Sequence, residues 1–393
     1  MTSGATERVG PPAGDAVGAR REFVLRHVLV PLVIFAANRF VQLLLVWALV
    51  KPDSSVSSRL TIWDADFFLR IARDGYDRGF QYDPSGHLVG NTLAFFPGYP
   101  MCVRALAFLG LPYALAGIVV SLLFGAAATV LIHLLGRRLR DDRFGYVLAV
   151  LFCAQPMSIM FSMAYSEAMF CALVLAMLLA MHHGRWLTAG AFGVLAGLTR
   201  TTGLAAALAL AAYAAWSIWT GRREPGTPRV RPAVAALAAL ASVPAYWLWV
   251  GLRLGRLDGW FVQQSQGWGT KIDWGAASID FVTSTFRTSD GLVPVAAALI
   301  LVGTGVLVVA AVLARFWWPM TLYGLLAYGT VVGAAGYFNS RPRLLVPVLS
   351  ALLPVGAALV TARTRVLVPC LVGISLLGCW FGAYMITVWP YTI

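Results

Sequence analysis

Residues 63–76 read WDADFFLRIARDGY: two aspartates two positions apart, a run of aromatic and aliphatic residues, then basic residues with a further acid and a Gly-Tyr stop. The spacing of Phe67, Phe68, Ile71, Ala72 and Gly75 predicts a short amphipathic helix lying in a membrane interface and ending at Gly75. Asp66, Arg70 and Asp74 are four apart and form one charged ladder on its wet face. Asp64 and Asp66 diverge by about 200° on a continuous helix, whereas an extended stretch puts them on one face. Asp64 reads equally well as an N-cap, accepting bonds from the first helical N–H groups, or as an acid with chemistry to do.

The chain around this stretch decides between the two. Of its 393 residues 59% are hydrophobic and 12% charged, and the mean hydropathy is +0.76. A soluble domain cannot carry that on its surface, so the fold class is an all-α polytopic membrane protein. Apolar runs of about 20 residues recur, each long enough to cross a hydrocarbon core. Spans are expected at 28–50, 113–136, 144–163, 165–183, 186–199, 203–220, 232–252, 292–314, 319–338, 344–361 and 366–388, about 11 transmembrane helices in all. They form one domain over 28–393, behind a disordered cytoplasmic N-terminus at 1–27. Arg20, Arg21 and Arg26 precede the first span, which reads as an uncleaved anchor.

The net charge of +13 does not indicate nucleic acid, because the arginines cluster between apolar runs. RRLRDDR (137–143), RREPGTPRVR (222–231) and TARTR (361–365) all fall on one side and make it cytoplasmic. The WDAD stretch, YSE (165–167), TRTTG (199–203) and NSRPR (339–343) then lie on the other, in the cell membrane's outer face. Two outer connections, 51–112 and 253–291, are too long merely to join helices. No phosphate-binding glycine loop is present, which argues against a nucleotide-driven pump. The five cysteines form no C-x-x-C pair and read as structural thiols. His87, His182 and His183 lack zinc-ligand spacing.

WDAD is followed by AFFPGYP (94–100), a stiff re-entry into lipid. A carboxylate at that surface can act as general base on a hydroxyl. The pattern W-D-A-x-x-F/Y-x-x-I-A-x-x-G-Y followed by A-F-F-P-G-Y-P resembles the signature of the GPI mannosyltransferase II family (PIG-V type) and its bacterial relatives. QPMSIMFSMAYSEAMF (155–170) and GLTRTTGL (197–204) resemble further stretches of that family, and SRPRLLVPVLSALLP (340–354) is a looser match. The resemblance implies a GT-C fold, a catalytic aspartate in the first outer loop and a polyprenyl-phosphate mannose donor. Carried over, it makes Asp64 and Asp66 the candidate catalytic acids, with Asp64 the better match for the base.

Such a donor has a good leaving group already, so transfer to a glycolipid or glycan acceptor needs one base and cations for the departing phosphate. Arg200, Arg341 and Arg343 are the candidate phosphate-binding residues, because guanidinium pairs bidentately with phosphate. Arg200 interrupts two apolar runs, where a cation usually has a partner or a function, while Arg341 and Arg343 read equally as headgroup anchors. Trp63, Tyr165, Glu167 and Gln266, the last within QQSQGWGT (263–270), are candidates to support the site. Glu167 pairs with one of the arginines or caps its own helix. Arg39, mid-span after Asn38, reads as a buried pairing. Asp64 and Asp66 are also the one place for a divalent cation such as Mg or Mn. The alternative functions are a lipid or polysaccharide flippase, for which the expected paired halves are not visible, and a non-catalytic assembly subunit.

Overall fold

The computed structural model describes residues 13–221 and 229–392. Each of the eleven apolar segments contains a helix, and the described residues include only one two-stranded hairpin, Gln81–Tyr82 against Leu88–Val89. Six helices are long and apolar enough to cross a membrane unaided: Arg20–Leu49, Tyr113–Leu139, Gly203–Thr220, Val230–Leu254, Leu292–Leu313 and Thr364–Thr387. The other five segments hold shorter helices, namely Asp142–Cys153, Glu167–His182, Trp186–Gly197, Trp318–Val332 and Leu352–Val360. Length and composition therefore mark six candidate crossings among the described residues and leave the count of eleven open.

The helix Asp142–Cys153 ends in irregular backbone that is largely buried in protein. Non-helical chain at membrane depth is tolerated only where other groups satisfy its polar atoms. Arg39 does this for the break after Cys153. Its guanidinium donates to the carbonyls of Cys153 and Ser158, to Ser158 Oγ and to Asn38 Oδ1. The buried pairing expected for Arg39 is thus with freed carbonyls, and no carboxylate among the described residues pairs with it.

Glu167–His182 is apolar all round, as a helix must be to sit at the centre of a bundle. It packs between Tyr113–Leu139 and Trp186–Gly197. The expected disorder up to residue 27 is corrected over 13–27: helix Ala13–Val24 runs through a π-helical turn, Leu25–Leu29, into Val30–Leu49. Residues 1–12 and most of the 222–231 basic cluster lie outside the described residues. All five cysteines are free.

Both long loops are ordered. The first holds helices Val56–Leu60, Asp64–Asp74 and Gly98–Phe108 with the hairpin between the last two. The second holds Gly259–Val262, a π-turn at Gln263–Gly267 and Ala276–Thr288.

Candidate functional site

WDADFFLRIARDGY forms a helix over Asp64–Asp74, and Gly75 ends it at φ 87°. Glycine tolerates that backbone at no steric cost. Trp63 occupies the N-cap position with φ 59° and makes no side-chain cap. The N-cap reading of Asp64 is therefore corrected: Asp64 is the first helical residue. Since the helix includes both acids, Asp64 and Asp66 diverge, and Asp66 faces solvent.

The apolar face of this helix does not lie in lipid. Ala65, Phe68, Ile71 and Ala72 are buried in protein, with Phe68 edge-on to Tyr99 at 5.2 Å and to Phe95 at 5.1 Å. Phe67 stacks on Phe95 and meets Trp268 from the second loop, each at 5.0 Å. The charged ladder is also corrected. Arg70 turns to Asp77 at 3.7 Å and Asp74 pairs with Arg73 at 3.0 Å, with no ion pair from Arg70 to Asp66 or Asp74 among the described residues. The hairpin beyond Gly75 brings Asp77 within reach, which helical spacing could not reveal.

The helix is held at both ends. At the first turn the Tyr165 hydroxyl accepts from the Asp64 N–H at 3.2 Å and donates to the Ile62 carbonyl at 3.1 Å. At the last turn Arg104 donates to the carbonyls of Ala72 and Ile71 at 2.6 and 3.0 Å. A cation there satisfies the orphan acceptors of a helix C-terminus. Arg104 escaped the sequence reading, although a lone arginine in the apolar run 98–108 was a visible signal.

The Asp64 side chain meets Arg343, which links it to Glu167 and through Glu167 to Arg200. Arg343, on the short helix Arg341–Leu344, brings Nη1 to 2.8 Å from Asp64 Oδ2 and Nε to 3.6 Å from Glu167 Oε1. Arg200 Nη1 lies 2.8 Å from Glu167 Oε1 and donates to Ser166 Oγ at 2.9 Å. Two guanidinium groups and two carboxylates thus form one cluster from four parts of the chain. Its side chains are graded in exposure, Asp64 at 21%, Arg200 16%, Arg343 10% and Glu167 0%, so the cluster opens on the Asp64 side. Burial acts to lower the Arg343 pKa, but Asp64, Tyr165 and Glu167 outweigh it and hold it raised. Arg343 also lies over the Tyr165 ring at 5.2 Å.

Arg200 sits in the break between helices Trp186–Gly197 and Gly203–Thr220. The PGY turn locks this break in place, as the Gly98 N–H donates to the Leu198 carbonyl at 2.7 Å. A Cβ at residue 98 would stand 2.8 Å from Thr199 Oγ1, so only glycine allows the approach.

Other expected site residues stand apart. Arg341 donates to the Ala334 carbonyl and stacks over Phe338 at 4.7 Å, away from the acid pair. Gln266 is exposed, while its neighbour Gln263 is buried and donates to the Val89 carbonyl at 3.0 Å. For a divalent cation the donors do not fit. Asp64 is engaged by a guanidinium, Asp66 points elsewhere, and no three His, Cys, Asp or Glu gather among the described residues.

A family model described as mannosyltransferase (PIG-V) matches residues 47–219, somewhat under half of the chain and including the WDAD, YSE and TRTTG stretches. The chain is 36% identical over 124 residues to GPI mannosyltransferase 2 of Drosophila pseudoobscura pseudoobscura, which is 29% of this chain and 25% of that protein. It is 32% identical over 158 residues to GPI alpha-1,6-mannosyltransferase 2 of Rattus norvegicus, 37% of this chain and 30% of that protein. The chain thus spans less than a third of the length of these curated relatives.

Among solved structures, ArnT from Cupriavidus metallidurans superposes with a TM-score of 0.53 over 90% of this chain and 63% of its own, at 16% identity. The same protein bound to undecaprenyl phosphate gives a TM-score of 0.51 at equal coverage and identity. An oligosaccharyltransferase from Archaeoglobus fulgidus gives 0.51 over 91% of this chain and 52% of its own, at 12% identity. The fold is that of the GT-C glycosyltransferases. The resemblance to the PIG-V mannosyltransferases, visible in the WDAD and YSE motifs, is matched by family model and relatives alike.

Proposed function

We propose that this membrane protein is a mannosyltransferase that moves mannose from a polyprenyl-phosphate carrier to a hydroxyl of a glycolipid or glycan, on the outer face of the cell membrane. The observation that carries this reading is the Asp64–Arg343–Glu167–Arg200 cluster, two acids and two arginines gathered at the first long loop of a GT-C fold. The names of its relatives support the sugar. The lipid seen in one structural neighbour supports the carrier class.

The reaction is an inverting single displacement. Asp64 accepts the proton of the acceptor hydroxyl as that oxygen forms its bond to the anomeric carbon. The bond from that carbon to the phosphate oxygen breaks, and its electron pair stays on the phosphate. The phosphodiester gains a second negative charge in this step, so cations aimed at it stabilise the transition state more than the bound donor. Arg200 and Arg343 supply them, while Glu167 holds both guanidinium groups in place. Arg341 anchors the 334–341 segment instead.

The test is transfer from a synthetic polyprenyl phosphate mannose to membrane lipid acceptors by purified, folded protein. Positioned proton transfer contributes about 10² to 10⁴ in rate, so Asp64→Asn is expected to lose nearly all turnover. Asp66→Asn, at an exposed position, is expected to retain most of it. Near wild-type transfer by Asp64→Asn would remove the base from this residue, and activity in both variants would remove the enzyme reading of this loop.

A further inference from the structure

Arg343 is committed to two partners without being saturated by either. Its Nη1 meets Asp64 at 2.8 Å, while its Nε is buried 3.6 Å from Glu167 with no hydrogen-bond acceptor. Glu167 Oε2 is likewise buried without a hydrogen bond. A guanidinium that is nine-tenths buried and keeps an unpaired N–H donor has capacity for another anion. A general base has the opposite requirement. A carboxylate held at 2.8 Å by a guanidinium has an oxygen occupied and is poorly placed to take a proton from a hydroxyl.

We propose that Arg343 exchanges partners during the reaction, leaving Asp64 for the phosphate of the lipid carrier, so that binding of the carrier is what frees Asp64 to act. The proposal rests on the functional reading above and adds the regulation of its base. The geometry suits an exchange. Glu167 is fully buried and stays beside Arg343 throughout, so the guanidinium keeps one counter-charge while it swings between the other two. Asp64 lies at the more exposed end of the cluster, the side from which a phosphate would enter. The exchange also reinforces itself. As Asp64 gains the acceptor's proton it loses its charge and its hold on Arg343, while the departing phosphate gains a charge and strengthens its own.

The experiment is equilibrium binding of radiolabelled polyprenyl phosphate, without sugar, to the full-length protein in lipid nanodiscs. If Asp64 and the phosphate compete for Arg343, Asp64→Asn binds about tenfold more tightly than wild type although it is dead in transfer. Asp64→Ala shows the same gain. Asp74→Asn, which removes one charge from the far end of the same helix, leaves affinity unchanged. In an Arg343→Gln background Asp64→Asn gives no gain, because the contested guanidinium is gone. Unchanged or weaker binding by both Asp64 variants would overturn the exchange and leave the transferase reading standing. A gain that survives Arg343→Gln would also overturn it, since the cause would be relief of charge repulsion at a distance. Wild-type protein that fails to bind polyprenyl phosphate would remove the donor reading itself, and the exchange with it.

Discussion

Glu167 shows how a residue ambiguous in sequence becomes specific once its neighbours are known. A carboxylate at a helix start is ordinarily a cap, favoured by the positive end of the helix dipole. This one has no exposed surface and serves two arginines from segments 33 and 176 residues away. Removing one partner of a buried ionic cluster costs about 3–5 kcal/mol, because the remaining charges stay desolvated. Glu167→Gln is therefore expected to lower the thermal midpoint in detergent by several degrees and to weaken donor use, whereas a plain cap would lose about 1 kcal/mol and leave donor use intact. Arg200→Ala tests the cluster from the other side. Loss of a charge-assisted bond worth about 1.5–3 kcal/mol should lower kcat/KM for the donor at least tenfold and change acceptor KM little. An unchanged rate at every donor concentration would take Arg200 out of the site.

The Asp64–Asp74 helix has only 11 residues, too few to be stable alone. It is fixed by Tyr165 at one end, by Arg104 and Gly75 at the other, and by Phe68 and Ile71 along its buried face. Arg104 touches no part of the acid cluster, so it is a positioning residue. Displacing a base by about 1 Å can cost 10²-fold in rate. Arg104→Ala is thus expected to lower kcat by tenfold or more with donor KM near wild type, and Arg104→Lys to recover part of the loss. Equal falls in kcat and protein stability, with no rescue by lysine, would make Arg104 a purely structural residue. The period of the apolar residues was enough to locate this helix and its glycine stop. What it left open was the helix's surroundings, because an amphipathic face looks the same whether lipid or Tyr99 and Phe95 cover it.

For the whole molecule, the proposed orientation, with the 51–112 loop outside the cell, rests on the arginine clusters. Ser85, exposed in the hairpin turn, gives a direct test. A cysteine placed there is expected to react with an impermeant thiol reagent in intact cells, and labelling only after permeabilisation would reverse the orientation. The sequence by itself determined the class of the molecule, the position of every apolar segment and the four stretches that supply the cluster, with Asp64 at their head. These are properties of local composition and periodicity, set by the thickness of a bilayer and the pitch of a helix. Only the tertiary structure decided that Arg343 and not Arg341 reaches Asp64, that Glu167 serves two arginines, and that Arg70 turns to Asp77. It also decided which apolar segments form helices long enough to cross alone. These depend on where turns and backbone breaks point a side chain, and on contacts that reach from Asp77 beside Arg70 to Arg343, far along the chain from Asp64, which helical periodicity does not encode.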